Sequence, residues 1–297
     1  MITTFGSGSL DLIGTTTRLP GPGETVPGGL FSMAPGGKGA NQSLAARRAG
    51  AEVRHFGAVG TDDFAEPAIA MLKADGVDLS QLRRPAGPTG IAMIFVDARG
   101  ENMIVILPGA NGTQSPAHAA SALAGMTAGS VLLLQQEIPQ AATERALDLA
   151  REQGVVSILN TAPFLDSTPS VAGKASILVA NETEFALLCG GKTEPLNALM
   201  LDWAAAHDQT VIVTLGPDGA RAATGGKLIA VPALKVTPVD TVGAGDTFVG
   251  YLAAGLDSGL DLEQAMRRAA AAGSLACLKP GAQPSIPYAA EVDAALG

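Results

Sequence analysis

The sequence predicts an open, mostly parallel β-sheet flanked by helices, with a second and smaller sheet beside it. Three observations lead there. Short apolar runs alternate with amphipathic stretches over most of the chain, the order expected when strands are joined by crossover helices. The 297 residues are 47% hydrophobic and 16% charged, enough apolar material for a sizeable core and far from a disordered composition. Two segments, 14–34 and 89–107, break the alternation and read instead as a small separate β-sheet, or else as ordinary loops and edge strands.

Taken in order, a strand over 2–8 opens the chain and a helix over 39–49 follows. Further strands are predicted at 131–135, 155–160, 177–180 and 211–215, where β-branched residues and leucine run without interruption. Helical periods lie between them, at Gln140–Gln153 and Leu196–His207. Segment 89–107 reads as a hairpin, 91–96 and 103–107, around the turn Asp97-Ala98-Arg99-Gly100. An Ala-rich helix over 262–278 carries Arg267 and Arg268, read as a solvated face.

Composition excludes several functions. A formal charge of −9 and an aromatic content of 4% oppose nucleic-acid binding, which needs clustered cations and stacking platforms. Cys189 and Cys277 share no metal or redox spacing and read as buried free thiols of a reducing compartment. No basic and apolar leader opens the sequence, and no apolar run approaches the ~20 residues of a membrane span. The expected location is the cytoplasm.

Some motifs fail on inspection. His55, His118 and His207 are dispersed, so no zinc site is expected. Gly6-Ser7-Gly8 begins like a dinucleotide fingerprint, but Asp11 stands at the third glycine and no helix follows. Gly36-Gly37-Lys38-Gly39 lacks the Ser or Thr and the spacing of a P-loop.

Three motifs carry chemistry. Residues 240–248 read Asp-Thr-Val-Gly-Ala-Gly-Asp-Thr-Phe between an extended stretch and a helix. Small residues at Gly243, Ala244 and Gly245 suit a tight helix start whose free N–H groups attract anions. Asp246 at its mouth suits a base that takes a proton from an attacking hydroxyl, or else an N-cap. In Gly36-Gly37-Lys38-Gly39-Ala40-Asn41-Gln42, Lys38 and Asn41 share a helix face fit for neighbouring hydroxyls, or else the motif is a glycine-rich turn with surface polar residues. Asn181-Glu182-Thr183-Glu184 follows a strand; Asn181 and Glu184 suit Mg²⁺ held through water, or a plain helix cap.

In this order and at these separations the three motifs resemble the signatures of ribokinase-type sugar kinases, the PfkB family. The likeness runs from Gly6-Ser7 to Gly281-Ala282-Gln283-Pro284-Ser285 and includes Gly109-Ala110-Asn111 and Thr214-Leu215-Gly216. It implies a ribokinase-like three-layer α/β/α fold, with a main domain over 1–13, 35–88 and 108–297. Segments 14–34 and 89–107 would form a protruding β-sheet lid that closes over the sugar and pairs in a homodimer. Asp246 would be the general base and Gly243, Ala244 and Gly245 the anion hole. Asp11, Gly37, Lys38, Asn41 and Glu137 would contact sugar hydroxyls, with Ser9 beside them. Asn181, Thr214, Gly216 and Gly245 would meet ATP, and Asn181 and Glu184 would serve Mg²⁺. A potassium ion would take the Asp240 side chain, the Ser285 hydroxyl and the carbonyls of Val242, Ala276, Lys279 and Gly281. The expected reaction is transfer of the ATP γ-phosphate to the 5-hydroxyl of D-ribose.

One position departs from the family. Ribose-specific members read G-S-x-N-x-D near the first strand, and Ser9 stands where that asparagine is expected. One lost hydrogen bond to a buried partner costs about 1–3 kcal/mol. Another pentose or a nucleoside is therefore the alternative acceptor. A non-catalytic sugar-binding protein is the remaining alternative, opposed by the presence of Asp246, Gly243 and Gly245.

Overall fold

In the computed structural model, which describes residues 1–193 and 195–297, the apolar runs form the central strands. Among the described residues the strands are β1 (Ile2–Phe5), β2 (Ser9–Thr16), β3 (Gly28–Gly36), β4 (Val53–Phe56), β5 (Gly90–Val96), β6 (Asn102–Leu107), β7 (Val131–Leu134), β8 (Val156–Asn160), β9 (Ile177–Asn181), β10 (Thr210–Thr214), β11 (Ala220–Thr224) and β12 (Lys227–Val231). Eight build the main sheet in the order β12-β11-β10-β9-β8-β7-β1-β4. From β4 to β10 the neighbours are parallel; β11 and β12 add an antiparallel edge.

The runs are continuous in sequence because both faces of the sheet are buried. In β7, Val131 and Leu133 face one core while Leu132 and Leu134 face the other. β9 divides the same way, with Ile177 and Val179 opposite Leu178 and Ala180. Helices α1 (Lys38–Arg48), α2 (Gln140–Gln153), α3 (Glu182–Leu188), α4 (Leu196–His207), α5 (Ala244–Asp257) and α6 (Leu262–Ala276) cover the two sides. α1, α5 and α6 contribute Leu44, Val249, Leu252 and Met266 to one core. α2 and α4 contribute Ala146, Leu147, Met200 and Ala204 to the other. Three layers result, as the alternation of strands and helices predicts.

The irregular segments pair into a separate sheet in the order β3-β2-β5-β6, with β2 and β5 parallel and the outer pairs antiparallel. Its strands run past segment 14–34 at both ends: β2 begins at Ser9 and β3 ends at Gly36. Ser9 and Asp11 are thus carried by the small sheet. Its edge strands expose apolar side chains, among them Leu30 (79%) and Phe31 (68%) on β3 and Met103 to Leu107 on β6.

Two expectations are corrected or refined. Cys189 and Cys277 are free but only half-buried, because both sit at helix ends rather than under a sheet. Arg267 pairs with Glu263 on the solvated outside of α6, while Arg268 is half-buried, pairing with Asp293 and leaving its Nε buried without a partner. Among the described residues no helix is long and apolar enough to cross a membrane.

Helices α1 and α5 cross in close contact. A Cβ added at Gly250 would stand 2.5 Å from Ala45 Cβ and 2.6 Å from the Gln42 carbonyl. Glycine is therefore required at the crossing, and Ala45 and Ala46 opposite it are fully buried. Gly250→Val is expected to force the helices apart and lower unfolding stability by about 1–3 kcal/mol, read by urea titration. An unchanged midpoint would show that the crossing relaxes without cost.

Candidate active site

The loops beyond the C-terminal ends of the parallel strands converge on one cleft, the place where open α/β sheets gather functional side chains. Ser7 follows β1, Glu137 follows β7, Asn160 and Asn181 end β8 and β9, and Thr214 ends β10. Opposite them stand the N-termini of α1 and α5. A cavity of about 210 Å3 lies between, lined by Lys38, Asn160, Asn181, Glu184, Thr214, Gly243, Gly245 and Asp246 among others.

Gly243 caps α5 in the left-handed region, at φ 79°, and a Cβ there would approach Ala282 Cα to 2.9 Å. Asp246 is therefore the third residue of the helix and not its cap, which removes the N-cap reading. Its carboxylate is 6% exposed and accepts from Asn41 Nδ2 and Gln42 Nε2, both at 2.9 Å. The Ala244 N–H donates to the Thr241 carbonyl at 3.3 Å. Among the described residues the N–H groups of Gly243 and Gly245 have no acceptor, so they and the helix dipole remain available to an anion.

The second motif forms the other wall. Gly37 caps α1 at φ 87°, and a side chain there would meet the Ser9 N–H at 2.9 Å. The Lys38 N–H donates to Glu137 Oε2 at 2.8 Å, and the Ser7 hydroxyl donates to the same oxygen at 2.5 Å. Asp11 lies against Gly36, which leaves room for its carboxylate. Asn41 Oδ1 is buried without a partner, an acceptor that a hydroxyl donor would satisfy. Ser9 is half-buried at the start of β2, beside these groups.

Charge in the cleft is unbalanced. Burial, then Glu137 and Asp246, push the Asp11 carboxyl up to about 6, and Lys38 only partly opposes them. Asp246 holds the Lys38 ammonium above its ordinary value against burial, with Glu137, Glu184 and Asp11 adding to it. One ammonium therefore faces four carboxylates. The surplus acid suits a cation arriving with its phosphates.

Asn181 and Glu184 form a reciprocal cap on α3: the Glu184 N–H donates to Asn181 Oδ1 at 2.8 Å, and the Asn181 N–H to Glu184 Oε2 at 3.1 Å. Thr161 Oγ1 also donates to Glu184 Oε2, at 2.7 Å. The capping reading is thus present in the structure, and both residues also line the cavity, where Glu184 Oε1 keeps free lone pairs. Such a donor set fits Mg²⁺ that retains most of its water.

Beyond Gly245 the cleft opens into a cavity of about 440 Å3 bounded by Thr214, Gly216, Ala233, Leu234, Val236, Phe248, Ala270, Gly273 and Cys277. Its walls are mostly apolar, as a nucleobase would require. Behind the N-terminus of α5, Asp240 Oδ1 and Oδ2 accept the N–H groups of Val242 and Gly281 at 3.0 and 2.8 Å. Both Val239 and Asp240 donate to the Cys277 carbonyl, and Ser285 lies fully buried against Ala282. Turn 240–243 and loop 276–285 thus meet, and their oxygen-rich junction fits a monovalent cation. Among the described residues no three His, Cys, Asp or Glu side chains cluster as a metal cage.

Several site residues have no signal in sequence. Gln42, Gln135 and Asn160 form an amide network under Asp246, and Asn111 ties the Gly8 N–H and carbonyl at 3.1 and 2.9 Å. Only proximity in the folded chain marks them, although Gln42 and Asn111 lie within the glycine-rich motifs at 36–42 and 109–111.

Such a site, a buried carboxylate at a helix N-terminus between a polar pocket and an apolar one, defines a phosphotransferase acting on a hydroxyl. The pfkB family carbohydrate kinase model matches residues 1–289, and the chain belongs to that family. It is 36% identical over 295 residues to the ribokinase of Bacillus subtilis, covering 99% of each. Its fold is similar to that of the Thermotoga maritima ribokinase, with a TM-score of 0.90, 30% identity and coverage of 99% of this chain and 98% of that one. The Arabidopsis thaliana ribokinase solved with ribose and ATP gives a TM-score of 0.87 at 30% identity, again covering 99% and 98%. The enzyme class expected from sequence, an ATP-dependent carbohydrate kinase with a ribokinase-like fold, is thereby met.

The Asp11 carboxyl gives a pH test. Because its folded value lies above the ordinary one, the native state keeps this proton between about pH 4 and 6 while the unfolded chain releases it. This group therefore favours the fold below that window and disfavours it above. Asp11→Asn is expected to gain on the order of 1–3 kcal/mol of stability at pH 7.5 and almost none at pH 4, read by urea unfolding. A gain equal at both pH values would remove ionisation as its cause.

Proposed function

We propose that this kinase transfers the γ-phosphate of ATP to the 5-hydroxyl of D-ribose, giving ribose 5-phosphate and ADP, with Asp246 as general base. The observation that carries the reading is Asp246 itself. It is buried, held by neutral amides, and stands on the helix whose Gly243 and Gly245 N–H groups have no acceptor among the described residues, with the charges of Lys38 and Asp11 acting on it. The relative from Arabidopsis thaliana, solved with ribose and ATP, supports the pairing of ligands.

Asp11, Gly37, Lys38, Asn41 and Glu137 orient the sugar, with Ser9 beside them. Asp246 takes the hydroxyl proton as oxygen attacks phosphorus. In the turn Gly243-Ala244-Gly245 the backbone N–H groups of Gly243 and Gly245 hold the charge of the transferring group, the main demand of phosphoryl transfer, while the Ala244 N–H stays on the Thr241 carbonyl. Thr214, Gly216 and the apolar cavity receive the nucleotide, with Asn181 at its phosphates. Asn181 and Glu184 would hold Mg²⁺, which neutralises phosphate charge when bound. Asp240, Ser285 and the carbonyls of Val242, Ala276, Lys279 and Gly281 would hold K⁺ behind the anion hole.

Segments 14–34 and 89–107 serve as the lid, and their exposed apolar strands serve as the contact between two copies. The unpaired thiols suit a reducing, cytoplasmic compartment.

Coupled-assay turnover across D-ribose, 2-deoxyribose, other pentoses, fructose and nucleosides, with and without K⁺, tests this reading. D-ribose should give the highest kcat/KM and K⁺ should raise it. A better acceptor elsewhere would make Ser9 the mark of a different substrate. Asp246→Asn should lose turnover by about 10³-fold or more while still binding sugar. Near-normal turnover in that variant would remove Asp246 from the chemistry. Phe31→Asp on β3 should shift sedimentation from dimer to monomer, and an unchanged dimer would place the contact elsewhere.

A further inference from the structure

Asp246 is held by two amides of different character. Asn41 donates to Oδ2 at 2.9 Å, but its own Oδ1 has no partner and it stands at the polar pocket. Gln42 donates to Oδ1 at 2.9 Å and is fully enclosed. Every polar atom of Gln42 is used: Nε2 also donates to Asn160 Oδ1 at 3.2 Å, and Oε1 accepts from Gln135 Nε2 at 2.6 Å. Asn160 is anchored in turn by donating to the Val179 carbonyl at 3.1 Å.

This pattern allows one orientation of the Gln42 amide. Turned over, its carbonyl would face the Asp246 carboxylate and the Asn160 carbonyl together. Gln135 opposes that turn by donating to Gln42 Oε1, and its own Oε1 is left buried without a partner. A polar group stranded in this way costs stability, and it persists where the rest of its network needs the geometry.

We infer that Gln42, oriented by Gln135, is the positioning residue of the catalytic base, and that Asp246 Oδ2 is the oxygen that takes the proton. The inference rests on the reading of Asp246 as base. Oδ1 stays on Gln42 throughout. Oδ2 exchanges its Asn41 bond for the substrate hydroxyl, and Asn41 turns to the sugar with its free carbonyl. The hydroxyl proton passes to Oδ2 as the sugar O–P bond forms and the bond from phosphorus to ADP breaks. A neutral amide aims the carboxylate without adding a second cation beside it. The charged groups facing Asp246 are Lys38 from α1, Asp11 from β2, Glu137 beyond β7 and, across Lys38, Glu184 from α3.

Four variants test this in the full chain, by steady-state kinetics with D-ribose and MgATP and by calorimetric sugar binding. Gln42→Asn keeps an amide but draws it back from Oδ1 by one methylene; Gln42→Met removes every polar contact. Each should lower kcat by about 30- to 100-fold with sugar KM within about threefold, the mark of a misplaced reacting group. Gln135→Met should lower kcat about tenfold alone and less than twofold when added to Gln42→Met, since the two act as one unit. A kcat within threefold of the parent in Gln42→Asn, or losses that multiply in the double variant, would overturn the inference. If Gln42→Met unfolds, Gln42→Asn and the Gln135 variant decide the matter by the same kcat thresholds. Asp246→Asn run in parallel separates the two readings. If it is inactive while the Gln42 variants are normal, only the positioning role falls; if it is active, the base itself falls.

Discussion

The close crossing of α1 and α5 at Gly250 is the constraint on which the site depends. Asp246 and Gly250 are one helical turn apart on α5, so they share a face. Asn41 and Gln42 lie one turn before Ala45 and Ala46 on α1. Where Gly250 admits Ala45, the same register brings two side-chain amides to 2.9 Å from both oxygens of Asp246. A contact between two small residues thus sets the position of a carboxylate a full turn away. Helix packing of this kind tolerates little change of volume.

The wall that carries Asp246 is set by the packing of two helices, and the wall opposite it belongs to a different sheet. Ser9 and Asp11 stand on β2, in a four-stranded sheet whose far edges are apolar and exposed. Between the walls sit one ammonium and four carboxylates. Burial and like charge already lift Asp11 to about 6, so the cleft by itself stores electrostatic strain. Asn41 has a similar character, with a buried carbonyl that has no partner in the folded chain. Groups of this kind reduce stability and are kept where a ligand needs them.

Much of the architecture is legible in the sequence. Uninterrupted runs such as 131–135 and 177–180 announce strands buried on both faces, and their alternation with helical periods announces a parallel sheet. The helix starts after Gly37 and Gly243 are legible too, because small residues suit a tight helix entry; that both glycines take a positive φ is seen only in the structure. Less is legible at residues 181–184: Asn181 and Glu184 are equally good as helix caps and as cavity residues, and the structure shows them as both. The role of Asp246 as a cap is removed only by seeing Gly243 take that place. Gln135 and Asn160 carry no signal, since a glutamine or asparagine at a strand end is ordinary until its partner is known.

By itself the sequence determined the layered fold, the helix starts that favour anions, and the set of polar groups available to a sugar and a nucleotide. These are local properties, written in periodicity, glycine placement and short spacings. The tertiary structure alone decided which of those groups meet. Gln42 and Asp246 are 204 residues apart, Gly36 and Gln283 are 247 apart, and no local propensity measures such distances. They are set by packing, where two helices close on a glycine and two loops meet behind it. Packing therefore turns a list of polar residues into one oriented carboxylate.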